Sequence, residues 1–115
     1  MSVKILIQRK VKPGKDHELN AAVRELRSLA IHAPGYISGE TLRSVEDPSI
    51  HLVISTWSEI DDWNRWANSP ERKAFEKKIA ALLQAPTSVA CYRYEAIAPS
   101  MDEILTGLEA GVQDE

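Results

Sequence analysis

The segment from Trp57 to Phe75 constrains the fold most, because it ends a strand and starts two helices in quick succession. Ser58 followed by Asp61 has the spacing of a capping box, a hydroxyl and a carboxylate set to meet the orphan N–H groups of a helix start. Ser69 caps a second helix, with Pro70 at its first position, where a missing N–H costs nothing. All three tryptophans, Trp57, Trp63 and Trp66, lie in this segment. Aromatic bulk on a short helix beside a sheet either seals a core or walls a pocket, and that choice governs the functional reading.

Upstream, Val3 to Val11 reads as a strand rich in branched residues, with Val3, Ile5 and Ile7 on one face and Leu6 on the other. Lys12-Pro13-Gly14 punctuates its end. From Lys15 to Ala33, Leu19, Ala22, Val23, Leu26, Leu29, Ala30 and Ala33 recur at spacings of three and four, the stripe of an amphipathic helix. His32 falls in its last turn, near the negative end of the helix dipole, and Pro34-Gly35 stops it. Tyr36 to Ser44 and Ile50 to Trp57 form a hairpin around the turn Glu46-Asp47-Pro48-Ser49. The Pro70 to Leu83 helix turns Phe75, Ile79 and Leu82 inward, and Thr87 to Ile97 is a fourth strand with Ser88, Ala90, Tyr92, Tyr94 and Ala96 on one face.

The order β-α-β-β-α-β predicts a ferredoxin-like α+β fold, a four-stranded antiparallel sheet with helices on one face. Leu6, Val53, Trp57 and some fourth-strand side chains are expected on the helix-free face. An apolar face of that kind needs a partner, so a homodimer through the sheet faces is expected. Residues 1–97 form the expected domain. Residues 98–115 form an acidic C-terminal tail, in which Ser100 and Glu103 repeat the capping-box spacing and Met101, Ile104, Leu105 and Leu108 mark a short amphipathic helix.

At 115 residues, 43% hydrophobic and 27% charged, the chain has the composition of one soluble globular domain. No apolar run approaches the roughly 20 residues needed to cross a bilayer, and the N-terminus lacks the plan of a signal peptide; cytoplasm is the expected location. A lone Cys91 excludes a disulfide framework or a multi-cysteine zinc site, and is expected to be a buried inert thiol. The tail carries five acids and no base, which leaves the rest at +2 against an overall −3. That is too mild for a nucleic-acid footprint.

Lys12-Pro13-Gly14 closing strand 1, Pro34-Gly35-Tyr36 opening strand 2, Trp57-Ser58 ending strand 3, and an aromatic helix running into Trp66-Ala67-Asn68-Ser69-Pro70-Glu71 occur here in one order and spacing. Together, over about residues 3–97, this pattern resembles the antibiotic biosynthesis monooxygenase (ABM) domain of the dimeric α+β barrel superfamily. The resemblance implies a dimer formed through the sheets, with a pocket in each protomer between sheet and helices. It also implies chemistry in which some members oxidise phenols, anthrones or quinols with molecular oxygen and no metal or flavin, so no cofactor is expected. A haem-degrading branch uses an Asn on strand 1, a Trp on the second helix and a His ten residues later. Trp66 matches that Trp, but the other two positions hold Ile7 and Glu76, which argues against haem degradation.

Among individual residues, Ile60, Trp63 and Ala67 define the buried stripe of the second helix, with Trp66 about 60° to the side from the 100° step per residue. Trp66 is therefore either core edge or pocket wall, and its indole N–H calls for a partner that a ligand could supply. Asn64, on the other flank, is either a solvated amide or a donor to a substrate oxyanion. His51 is the one histidine placed inside a strand, which makes it the candidate general base, with packing at an interface as the alternative. Tyr36, Tyr92, Arg93 and Tyr94 offer phenol or guanidinium contacts, Tyr36 as a candidate substrate contact beside Trp66, although strands also favour tyrosine for packing. No catalytic triad order, glycine-rich phosphate loop or metal spacing is present. Three readings follow: the one the resemblance implies, a cofactor-independent monooxygenase of a small aromatic, phenolic or quinol compound, with His51 and Asn64 catalytic and Trp66 and Tyr36 binding substrate, or a non-catalytic dimeric module that binds a small molecule. A structural dimer with its pocket filled by side chains is the third.

Overall fold

The computed structural model describes residues 1–95 together with 97, 101, 105 and 107. Four strands, β1 (Val3–Lys10), β2 (Tyr36–Arg43), β3 (Ile50–Trp57) and β4 (Ser88–Arg93), form one antiparallel sheet in the order β2-β3-β1-β4. Three helices, α1 (Asp16–Ala30), α2 (Ile60–Ala67) and α3 (Pro70–Ala80), complete the βαββαβ plan, the short α2 adding a turn before α3. The fold is ferredoxin-like α+β, as the element order predicts. Of the amphipathic helix expected in the acidic tail, Met101 and Leu105 are described and helical, while Ser100, Glu103, Ile104 and Leu108, and Ala96 before them, lie outside the described residues.

Alternation along β1 sets the core. Val3, Ile5 and Ile7 are buried on the helix-covered face, and Val11 continues the series beyond the strand's end. Leu19, Ala22, Leu26 and Ala30 of α1 pack down as the expected stripe. That helix stops at Ala30, with Ile31, His32 and Ala33 turning through bonds such as Ala33 N–H to Ala30 O (2.9 Å), so His32 sits past the helix rather than in its last turn. Glycine is required at position 35, where φ is +86° and a Cβ would run into Asp62. Ser69 caps α3 as its sequence indicates, its Oγ accepting from Arg72 N–H at 3.2 Å with Pro70 behind it. The capping box at Ser58 is not formed: the N-cap of α2 is Glu59, one residue later, and Ser58 N–H donates to Gly35 O at 2.7 Å.

The face of β3 also differs from expectation. Trp57 pairs with Val3 and Val53 with Ile7, and directly opposed residues project to the same side of an antiparallel sheet. Val53 and Trp57 therefore enter the helix-covered core, not the open face. The open face carries Leu6, Leu52 and Ile54 in the centre, with Leu42 of β2 and Ala90 and Tyr92 of β4 beside them. Leu42 is 47% and Tyr92 56% exposed, part of a broad apolar surface that α1, α2 and α3 leave uncovered. Cys91 is exposed, because β4 is an edge strand; the buried thiol expected from residue type alone is not what the fold provides.

Candidate aromatic cleft

The sheet, α1, α2 and the start of α3 meet around a narrow cleft, part of it open to solvent. Its walls are aromatic because three elements converge there. Tyr36 opens β2, Trp57 ends β3, and Trp63 and Trp66 project from α2 three residues apart, adjacent on its surface. Tyr36 meets Trp57 edge-on (ring centroids 5.3 Å, 89°), as does Trp63 (5.8 Å, 64°), while Trp66 lies nearly parallel to Trp57 (6.5 Å, 25°). Trp57 is fully buried and its indole N–H donates to Ser55 Oγ at 3.1 Å, so its polar tip is satisfied inside the protein.

Trp66 is only half-buried and also walls a second, outer groove with Leu29, His32 and Pro34. It is the partition between the inner cleft and the surface. Gly39 of β2 lines the cleft as well. A Cβ there would come within 2.6 Å of the Tyr36 hydroxyl, so the glycine is what lets that phenol lie across β2.

The polar part of the cleft consists of arginines. Arg9, the next inward residue of β1 after Ile7, is 2% exposed; Arg72, in the first turn of α3, is 8% exposed. Arg9 Nη2 donates to Glu76 Oε1 at 2.5 Å, and Arg72 Nη2 lies 3.3 Å from the same oxygen without the alignment of a hydrogen bond. Burial lowers the pKa of the Arg72 guanidinium from its ordinary value; Glu76 opposes that shift and Arg9 adds to it. The guanidinium also stacks over Trp63, 4.8 Å from the ring centroid. This cluster is not among the residues singled out from sequence, although Arg9 keeps the in-out phase of Val3, Ile5 and Ile7, and Arg72 and Glu76 stand four apart on one helix.

Tyr36 and Trp66 are thus brought together on the cleft. His51 and Asn64 are not part of its lining. His51 is buried on the helix-covered side, but at the far end of β3, where its Nε2 lies 3.3 Å from Asp16 Oδ1. Asn64 is exposed on the outer side of α2, one residue around from buried Trp63. Among the described residues no group of three or more His, Cys, Asp or Glu side chains could hold a metal ion. No described helix is long and apolar enough to cross a membrane.

The antibiotic biosynthesis monooxygenase family model matches residues 2–78, the stretch that builds β1 through most of α3. The chain belongs to the ABM family. Protein SchA of Streptomyces halstedii is 23% identical over 101 residues, 88% of this chain but 26% of SchA, so the chain spans about a quarter of that relative's length. Among solved structures, a conserved protein from Methanosarcina mazei Go1 is similar with a TM-score of 0.78 at 19% identity, covering 83% of this chain and 94% of that one. SnoaB, a cofactor-independent oxygenase from Streptomyces nogalater, aligns with a TM-score of 0.74 at 16% identity, covering 86% of this ABM chain and 98% of SnoaB. At these identities the structural likeness establishes the fold alone.

Proposed function

We propose that this ABM domain is a cofactor-independent monooxygenase of a small aromatic, phenolic or quinol compound held in the aromatic cleft. The observation that carries the reading is the cleft itself, between sheet and helices, with four aromatic side chains beside buried guanidiniums. SnoaB, of similar fold, is a cofactor-independent oxygenase, which supports the reaction class. A deprotonated quinol supplies its own electrons to O2: one oxygen atom enters the ring, the other leaves as water, and the ring becomes a hydroxyquinone. The domain's part is to hold the ring, exclude water and stabilise the anion.

In this proposal Tyr36 and Trp66 bind the ring, and Trp66 turns aside to admit it from the outer groove. His51 as base and Asn64 as donor would act from outside this lining. Oxygen uptake with a panel of hydroquinones and anthrones, in metal-chelated and flavin-free protein, tests the reading. Uptake above the uncatalysed rate that is lost in Trp66→Ala supports it. Unchanged turnover in His51→Ala and Asn64→Ala would remove those two residues from the mechanism.

Among the described residues, the lining contains no acid and no histidine, and this favours the second reading, a non-catalytic module that binds an aromatic metabolite. Tryptophan quenching by a ligand recovered unchanged would select it. The open face of Leu6, Leu42, Leu52, Ile54 and Tyr92 supports a homodimer through the sheets in either case. A monomeric mass at micromolar concentration would contradict that assembly.

A further inference from the structure

Charge in the cleft is unbalanced. Arg9 and Arg72 share a single oxygen of one carboxylate, Glu76. Half-buried Arg27 adds a third guanidinium to the lining, donating to Thr41 Oγ1 at 2.6 Å. Among the described residues, no acidic side chain lines the cleft. Two buried N–H donors, Arg9 Nε and Arg72 Nη2, have no acceptor among the described residues. Buried polar groups are almost always paired, and charged ones still more so. Water would accept from both N–H groups but would leave the positive charge uncompensated. A charged oxygen does both, and hydrogen bonds between a guanidinium and an oxyanion are among the stronger ones available.

We infer that the cleft takes its aromatic ligand as an anion, whose negatively charged oxygen accepts from Arg9 Nε and Arg72 Nη2 while its ring lies against Trp57 and Trp66. The ligand class is a planar aromatic carboxylate or a phenolate. This inference rests on the cleft being the ligand site proposed above and not on the oxygenase reaction. It gives a task to the positive charge that stacking of Arg72 on Trp63 does not compensate.

Binding measured without oxygen separates the claim from turnover. Quenching of tryptophan emission is titrated with 2-naphthoate and with its neutral isostere 2-naphthamide, in the wild-type chain and in Arg72→Met. A carboxylate site binds the acid about tenfold or more tighter than the amide, and loses that preference in Arg72→Met. A parallel titration with 4-nitrophenol, whose phenolate absorbs at longer wavelength than the phenol, reports the other source: a phenolate site lowers the bound phenol's pKa by a unit or more, and Arg72→Met restores it. Equal wild-type affinity for acid and amide, together with an unshifted nitrophenol, would overturn the inference. So would a preference that survives intact in a folded Arg72→Met. If Arg72→Met does not fold, the wild-type titrations alone decide. Failure of oxygen uptake leaves these results standing, and removes only the reaction.

Discussion

Glu76 neutralises one of two buried guanidiniums, so the two sides of that cluster respond differently to substitution. Glu76→Gln leaves Arg9 and Arg72 facing each other without a counter-charge and is expected to cost about 3 kcal/mol. Arg72→Met leaves a one-to-one Arg9–Glu76 pair and keeps a side chain that packs on Trp63; its stability should stay within about 1 kcal/mol of wild type. Urea denaturation of both variants checks the contrast, and equal losses would mean that Arg72 is part of the packing and not surplus charge. Gly39→Ala places a methyl group 2.6 Å from the Tyr36 hydroxyl. The phenol must move, so ligand quenching should weaken by more than stability does. The arginines show why the site was only half legible in the sequence. Tyr36 and Trp66 follow from aromatic residues at element ends, but Arg9 sits in an alternating apolar series where a charge reads as the strand reaching solvent. Only its pairing with Glu76, 67 residues away, shows that it is buried.

At the scale of elements, punctuation was the most legible signal and also the place where it misled. Ser69-Pro70 is a cap in both readings, because a hydroxyl and a proline at a helix start satisfy purely local demands. Ser69→Ala should cost about 1 kcal/mol, roughly 4 °C in Tm, measured by thermal melting. Ser58 has the same local chemistry, yet its N–H is taken by Gly35 O across the sheet's end, and the helix starts one residue later. The parity of β3 was likewise invisible within β3 itself: alternation divides its residues into two sets, and only the register with β1 says which set is buried. In the β2–β3 turn, the Ser49 hydroxyl and backbone N–H hold the Asp47 carboxyl below the ordinary aspartate value of 3.8. A depressed folded pKa means that the turn's stabilisation is complete above the unfolded value and is lost as pH falls through the lower folded one. An NMR titration should therefore place the Asp47 midpoint below 3.8, and a midpoint at or above it would show that the turn is not closed in solution.

For the whole molecule, the βαββαβ order was readable because each element carries its own period, and the ABM family match over residues 2–78 agrees with it. The face proposed to bind a second copy follows from the same geometry. Ile54 is central on the open face, so Ile54→Lys should shift a dimer towards monomer in sedimentation while leaving the helix-covered core intact. What joins fold to function is the cleft, and its occupation by a reacting aromatic compound is tested most directly by oxygen uptake in chelated, flavin-free protein with tryptophan fluorescence followed in the same sample. Quinol-dependent uptake with concurrent quenching, both lost in Trp66→Ala, is the predicted result. Uptake that persists in Trp66→Ala, or that appears without quenching, would place the chemistry somewhere other than this cleft.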